Sequence, residues 1–254
     1  MILPVRYYQD STPVGVPCRE ENFERREIDM DLPVEQTAIV LIDLWHNHFI
    51  DSWIERAGKV LREQVLPAIE AARHVGLPVI HAPCPEVAAQ YDQLGIHAKA
   101  PPSSKAPEWP PPEFRRREGE WHAYRGPREQ EPGIRDIRED RRVSDLVEVR
   151  PDDIVIATGE QLHTWLASKG ILHIIFAGFA TNWCIINRDY GVRAMRNRGY
   201  NTILLRDATT GVEFPDTLDG LWATELSLRE VEQKFGFSAS NPDFFTYCGI
   251  DGDS

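Results

Sequence analysis

Cysteine is scarce in this chain, and no two cysteines stand at a spacing that implies a partner. The 254 residues hold four, Cys18, Cys84, Cys184 and Cys248, none of them in a C-x-x-C pair or at zinc-finger spacing. That argues against a thiolate zinc module and a C-x-x-C redox centre, and for free thiols in a reducing cytosol. Long apolar runs are missing too: no stretch approaches the roughly 18 residues of a membrane span. The start, MILPVRYYQD, lacks a basic region followed by an apolar core, so no signal peptide is expected. Positive charge is in deficit, with 28 Lys and Arg against 40 Asp and Glu and a net charge of −12. A surface of that sign disfavours phosphate backbones and anionic lipid. The expectation is a cytoplasmic protein whose partner is a small molecule, not nucleic acid or membrane.

What is present is an alternation of apolar runs and amphipathic segments. AIVLIDLW (38–45) is a continuous apolar run ending around an acid, as in a strand buried on both faces. Residues 53–75 carry apolar positions at helical spacing and stop at Gly76. LPVIHA (77–82) reads as the next buried strand, and DLVEVR (145–150) as a third. A helix over 158–169 ends at Gly170, and ILHIIFAG (171–178) is a further strand. Residues 181–199 read as one helix with Thr181 as N-cap and Gly199 as its stop. NTILLRDA (201–208) is a strand, 216–235 a helix, and 237–248 adds a last strand. Strands alternating with helices through short links predict an α/β fold, a parallel sheet with helices on both faces. Ligands in such sheets bind beyond the carboxyl ends of the strands.

Two segments depart from this rhythm. Residues 1–36 are polar and proline-rich, with a short strand around Phe23–Leu32, and read as an N-terminal extension to a single domain over 37–248, with 249–254 as a tail. Residues 83–145 read as an insertion: eight prolines fall from Pro83 to Pro112, and nine Arg face eight Asp or Glu over 113–142. Near-balanced charge marks a solvated segment and not a basic arm. Its aromatic residues, Trp109, Phe114, Trp121 and Tyr124, suggest that it packs on something, as a lid or an interface.

Two chemically able residues stand at strand ends. Asp43 closes the first apolar strand, and Cys184 follows IIFAG in GFATNWC at the start of a helix. A helix N-terminus favours the thiolate and offers backbone N–H groups to a developing oxyanion. A carboxylate nearby can take the thiol proton and return it to a leaving amine. The bland alternative is that Cys184 is a small buried hydrophobe, the commoner fate of a free cysteine. Cys84 is the rival nucleophile, but Pro85 after it removes a backbone donor.

LIDLWHNHF, GLPVIHA, GFATNWC and RGYNTILLRDATTG, taken together, resemble the isochorismatase-like cysteine hydrolases, whose members include nicotinamidases and N-carbamoyl amide hydrolases. The resemblance covers roughly 37–82 and 145–235. It implies a three-layer α/β/α sandwich with a mainly parallel central sheet and an Asp–Lys–Cys triad. It also implies an oxyanion hole from the N–H groups of Ala180 and Cys184, a cis peptide between Phe179 and Ala180, and a homo-oligomer. It implies Asp43 as the acid and Cys184 as the nucleophile, and a hydrolase acting on a C–N bond through a thioester.

The chain departs from the family pattern at the lysine. The slot at the end of the third strand holds Arg150 or Pro151, and Lys99 and Lys105 of the insertion are the other cations considered. The stretch after Cys184 is also about three residues longer, with Arg188 one helical turn on, either on a solvated face or placed to bind a substrate carboxylate. Trp45, His48, His81, Glu160 and Trp183 complete the candidate substrate contacts. No cofactor is expected. His46, His48, Asp51 and His81 are chemically able to hold a metal, as in a nicotinamidase, but not in that family's ligand register. A catalytically silent binding protein of the same fold is the alternative that the missing lysine motivates.

Overall fold

The computed structural model describes residues 1–94 and 109–250. One eight-stranded sheet, ordered β2-β1-β8-β7-β6-β3-β4-β5, organises them. Six strands run parallel: β3 (Thr37–Ile42), β4 (Val79–Ala82), β5 (Ile154–Val155), β6 (His173–Phe179), β7 (Asn201–Thr210) and β8 (Phe237–Ala239). Residues 1–36 are not an appendage. β1 (Ile2–Gln9) and β2 (Glu24–Asp31) form an antiparallel hairpin, and β1 joins the sheet through Arg6 opposite Ser238 of β8. β2 is polar and mostly exposed, which suits an edge strand and explains why its run carries little apolar signal.

Strict alternation on the central strands builds two cores. Ile39 and Leu41 of β3 join Ile175, Ala177, Ile203 and Leu205 on one face, covered by α1 (Asp51–Val60), a widened turn at Leu61–Val65, α2 (Leu66–Val75) and the later α8 (Asn241–Tyr247). Ala38, Val40 and Ile42 join Ile174, Phe176 and Leu204 on the other. That face is covered by α5 (Gly159–Lys169), α6 (Val192–Asn197) and the segment of α7 (Trp222–Glu230) that runs on through Val231–Phe235. This is a three-layer α/β/α arrangement. Each fully buried Leu, Ile or Phe in it contributes roughly 1.5–3 kcal/mol relative to exposure.

Helix ends follow local chemistry. Gly76 and Gly170 close α2 and α5 in the left-handed conformation, at φ 84° and 69°. Thr158 opens α5 with a reciprocal capping box to Gln161. Three sequence expectations shift. The predicted strand at 145–150 is irregular, and the strand forms instead over Ile154–Val155. The predicted helix over 181–199 breaks at residues 188–191. The tail holds β8 but then turns into α8.

The insertion begins with α3 (Pro85–Ala88), and its described remainder, 109–145, carries α4 (Pro112–Arg116) and single helical turns. It is pinned to the segment after β3: His46 N–H donates to the Arg142 carbonyl, Ser144 N–H to that of Leu44, and Trp45 bridges Val143. Its aromatics do not do this work. Trp109 and Tyr124 are exposed, and Phe114 packs on Trp121. Arginines bind the segment down instead: Arg135 donates to the His48 carbonyl and to Asp51, and Arg128 lies over the Trp183 ring.

Candidate active site

The register of β3 and β6 brings the site together. Ile42 pairs with Gly178, so the residues that follow each strand, Asp43 and the Ala180–Cys184 turn, leave the same carboxyl edge side by side. Gly178 permits that closeness: a Cβ there lies 2.1 Å from the Ile42 carbonyl oxygen, and its φ is 117°. Asp43 itself has φ 48°, a left-handed conformation uncommon outside glycine, which turns its side chain beneath the helix start. The Phe179–Ala180 peptide is cis, and Thr181–Ile185 forms the first helical turn beyond it.

Asp43 is fully buried. Its Oδ2 accepts two hydrogen bonds from Arg188, from Nη2 at 3.1 Å and Nε at 3.3 Å. Its Oδ1 is buried without a well-formed hydrogen bond among the described residues, while the Cys184 thiol and the Cys84 backbone N–H lie within reach of the carboxylate. Burial lifts the Asp43 pKa above the ordinary carboxylate value, with the Arg188 charge opposing it. Burial, and then the Asp43 charge, push the Cys184 thiol up to about 12, again against Arg188. Burial pushes both acids towards their protonated forms, and the Arg188 charge opposes that on each.

Arg188 reaches this point because the helix breaks. Asp189 caps α5 by accepting from Gly159 N–H at 2.7 Å, and the buried Tyr190 hydroxyl donates to the Pro83 carbonyl at 2.9 Å. Gly191 closes the turn, where a Cβ would lie 2.5 Å from the Ile185 carbonyl oxygen. Arg188 N–H still donates to the Cys184 carbonyl, so thiol and guanidinium belong to one helical turn.

A cavity of about 500 Å³ opens over these groups, lined among others by Trp45, His48, Ala180, Trp183, Cys184 and Arg188. Of the candidate residues read from the sequence, these are brought together. His48 Nδ1 accepts from Ile50 N–H, which leaves its proton on Nε2, and burial with nearby arginines lowers its pKa to about 4.

Three candidates fall elsewhere. Arg150 is not in the cavity: it pairs with Glu148 and Glu70 at the surface. The reason is the shifted strand. Because β5 begins after Arg150, that residue stands at the amino edge, opposite the carboxyl edge that carries Asp43. His81 points away from the cavity to Asp153, at 2.9 Å. Glu160 pairs with Arg198 on the surface. Lys99 and Lys105 lie outside the described residues. The metal candidates are dispersed: His46 contacts Asp140 and Asp145, Asp51 pairs with Arg135, and His48 stacks between Phe49 and Trp53. Among the described residues no three His, Cys, Asp or Glu gather as a metal site, so these residues do not fit a nicotinamidase metal. Nor is any helix among them long and apolar enough to cross a membrane.

Other cavity residues had no distinguishing sequence signal. Phe49 and Trp53 read as ordinary apolar positions, and Arg128 and Arg141 were lost among the balanced charges of the insertion.

The Isochorismatase domain model matches residues 37–234. A cysteine hydrolase from Pseudomonas syringae pv. phaseolicola 1448A has a similar fold, with TM-score 0.55 and 17% identity over 86% of this chain and 94% of that one. An isochorismatase family protein from Desulfovibrio vulgaris subsp. vulgaris str. Hildenborough gives TM-score 0.51 and 14% identity over 84% and 98%. No curated protein matches significantly. The family match spans most of the chain, from the strand that ends at Asp43 to the helix beyond Cys184 and Arg188, and the protein belongs to the isochorismatase family of hydrolases.

Proposed function

We propose that the protein hydrolyses a C–N bond, amide or carbamoyl, of a small molecule, with Cys184 as nucleophile, Asp43 as proton carrier and Arg188 as the cation. The observation that carries this is the buried Asp43, with one oxygen held by Arg188 and the other lacking a settled partner beside the Cys184 thiol. Sulfur attacks the carbonyl carbon while its proton passes to Asp43, and the Ala180 and Cys184 backbone N–H groups stabilise the oxyanion. The C–N bond breaks as Asp43 gives that proton to the departing nitrogen. Asp43 then takes a proton from water, which cleaves the thioester, and the proton returns to sulfur.

Arg188 stands where the family's lysine charge is needed. It favours the ionised form of Asp43 against burial but does not readily give up a proton, so the proton traffic falls to Asp43 alone. The nearby cation is what favours this reading over a catalytically silent protein. The same reading carries no resident cofactor and an assembly of identical chains.

The test is the pH dependence of Cys184 alkylation by iodoacetamide, followed by mass spectrometry. A thiol that passes its proton to a neighbouring carboxylate reacts at a rate nearly constant from about pH 6 to 8, because the reactive tautomer carries the same number of protons as the resting one. A solitary thiol rises about tenfold per pH unit below its pKa. A flat profile that becomes steep in Asp43→Asn supports the pair. A steep profile in both, with no amine or ammonia released from a panel of amides, overturns it.

A further inference from the structure

The cavity over Cys184 is positively charged in a protein of net charge −12. Its lining includes Arg128, Arg141 and Arg188 and no carboxylate. Arg188 is engaged by Asp43 beneath it. Arg128 and Arg141 both come from the insertion; neither forms a close ion pair among the described residues, and Arg141 acts only at longer range on Glu86 and Asp136. Five other arginines of the insertion are neutralised where they stand, Arg116 by Glu118, Arg125 by Glu131, Arg135 by Asp51, Arg138 by Asp136, and Arg142 by Asp145. The two that face the cavity are instead held on aromatic rings. The Arg128 guanidinium carbon lies 3.8 Å from the centroid of Trp183, and that of Arg141 lies 5.7 Å from Trp45.

A guanidinium over an aromatic ring uses its face for that contact and keeps its in-plane N–H donors for a planar anion. Trp183 directly precedes Cys184, and Trp45 lies two residues beyond Asp43. The two platforms therefore flank the reacting groups. Between them the walls are flat and apolar, from Phe49, Trp53 and Ile137, and His48 on that wall stays neutral.

We propose that Arg128 and Arg141 bind a carboxylate carried by the substrate, so that the amide hydrolysed is a small anion with a flat apolar body. This rests on the cysteine-hydrolase reading above and narrows its substrate class. It also moves carboxylate recognition from Arg188, where the sequence suggested it, to the insertion.

The experiment compares two alkylating agents that differ in charge, 4-(bromomethyl)benzoate and 4-(bromomethyl)benzamide. In each the sulfur forms a bond to the benzylic carbon as bromide leaves. The benzoate-to-benzamide rate ratio at Cys184 is divided by the ratio for 2-mercaptoethanol. The expected preference for the anion is about tenfold, falling to within about twofold in the double variant Arg128→Ala, Arg141→Ala. Arg128 is solvent-exposed and Arg141 half-buried, so these truncations leave both cores intact. A wild-type ratio equal to that of 2-mercaptoethanol overturns the proposal, as does a preference that survives in the double variant. The benzamide probe alone, measured across pH, reports on the Cys184–Asp43 pair, so the failure of that reading is seen separately.

Discussion

Asp153 and Asp43 are both buried beside an arginine, at opposite edges of the same sheet, and their surroundings act on them in opposite directions. Asp153 Oδ2 accepts from Arg73 at 2.7 Å, from His81 at 2.9 Å and from Arg150 N–H at 2.9 Å. Burial alone would raise its pKa, but those bonds override it and hold the carboxyl below its usual range. Asp43 has a single charged partner on one oxygen and none well formed on the other, and burial wins. A saturated carboxylate ties β4 to the approach to β5. A half-satisfied one, next to a thiol, is the group proposed as the base. The difference lies in donor count rather than in residue type or depth.

Substitutions that remove one charge at a time can break this comparison. The largest effect is expected in Asp43→Asn, which keeps the shape but not the basicity: hydrolysis by the folded enzyme falls by about 10²–10⁴. Burial disfavours the Asp43 charge while Arg188 is stabilised by it, so the two contributions to stability oppose each other and turnover is the readout that decides. A destabilised Asp43→Asn protein with normal turnover would reverse the assignment.

Asp153→Asn should do the opposite. It strips a fully bonded buried charge from Arg73 and His81, costing about 3 kcal/mol in a denaturant titration, while kcat/KM of the folded fraction stays within about twofold. A smaller effect comes from His48. Its native pKa of about 4 lies below the unfolded value near 6.5, so the unfolded state binds the proton first. The stability it contributes is present above the unfolded value and is lost as pH falls from about 6.5 towards 4, by roughly 2–3 kcal/mol. His48→Gln should flatten that part of the stability–pH curve. Least of all, Arg150→Ala removes only surface pairs: neither the denaturation midpoint nor turnover should change measurably. A loss of activity there would return the cation to the strand edge.

Much of the fold was legible because it rests on local pattern. The apolar runs of β3 and β6, the glycine stops at Gly76 and Gly170, and the GFATNWC turn are contiguous signals, and each led to an element near its expected place. Asp43 and Cys184 were legible as neighbours because each directly follows such a strand. What was hidden depends on distance in the chain. VEVR has strand-like alternation, but Asp153 bonds the Arg150 backbone into a turn and delays the strand by several residues. The break at 188–191 is set by Gly159 and Pro83, far away in sequence. Arg128 and Arg141 look like every other arginine of the insertion until the fold shows which of them line the cavity.

The backbone bond from Arg188 to Cys184 has a further consequence. The proposed nucleophile and its counter-charge lie four residues apart and are joined by a backbone hydrogen bond, so their spacing is set within one short segment of chain. The insertion and the β5 edge can then vary in sequence without changing the distance between them. The proposed roles make substrate choice and chemistry separable in laboratory evolution: Arg128, Arg141 and their neighbours can be varied while the 181–191 segment is left alone.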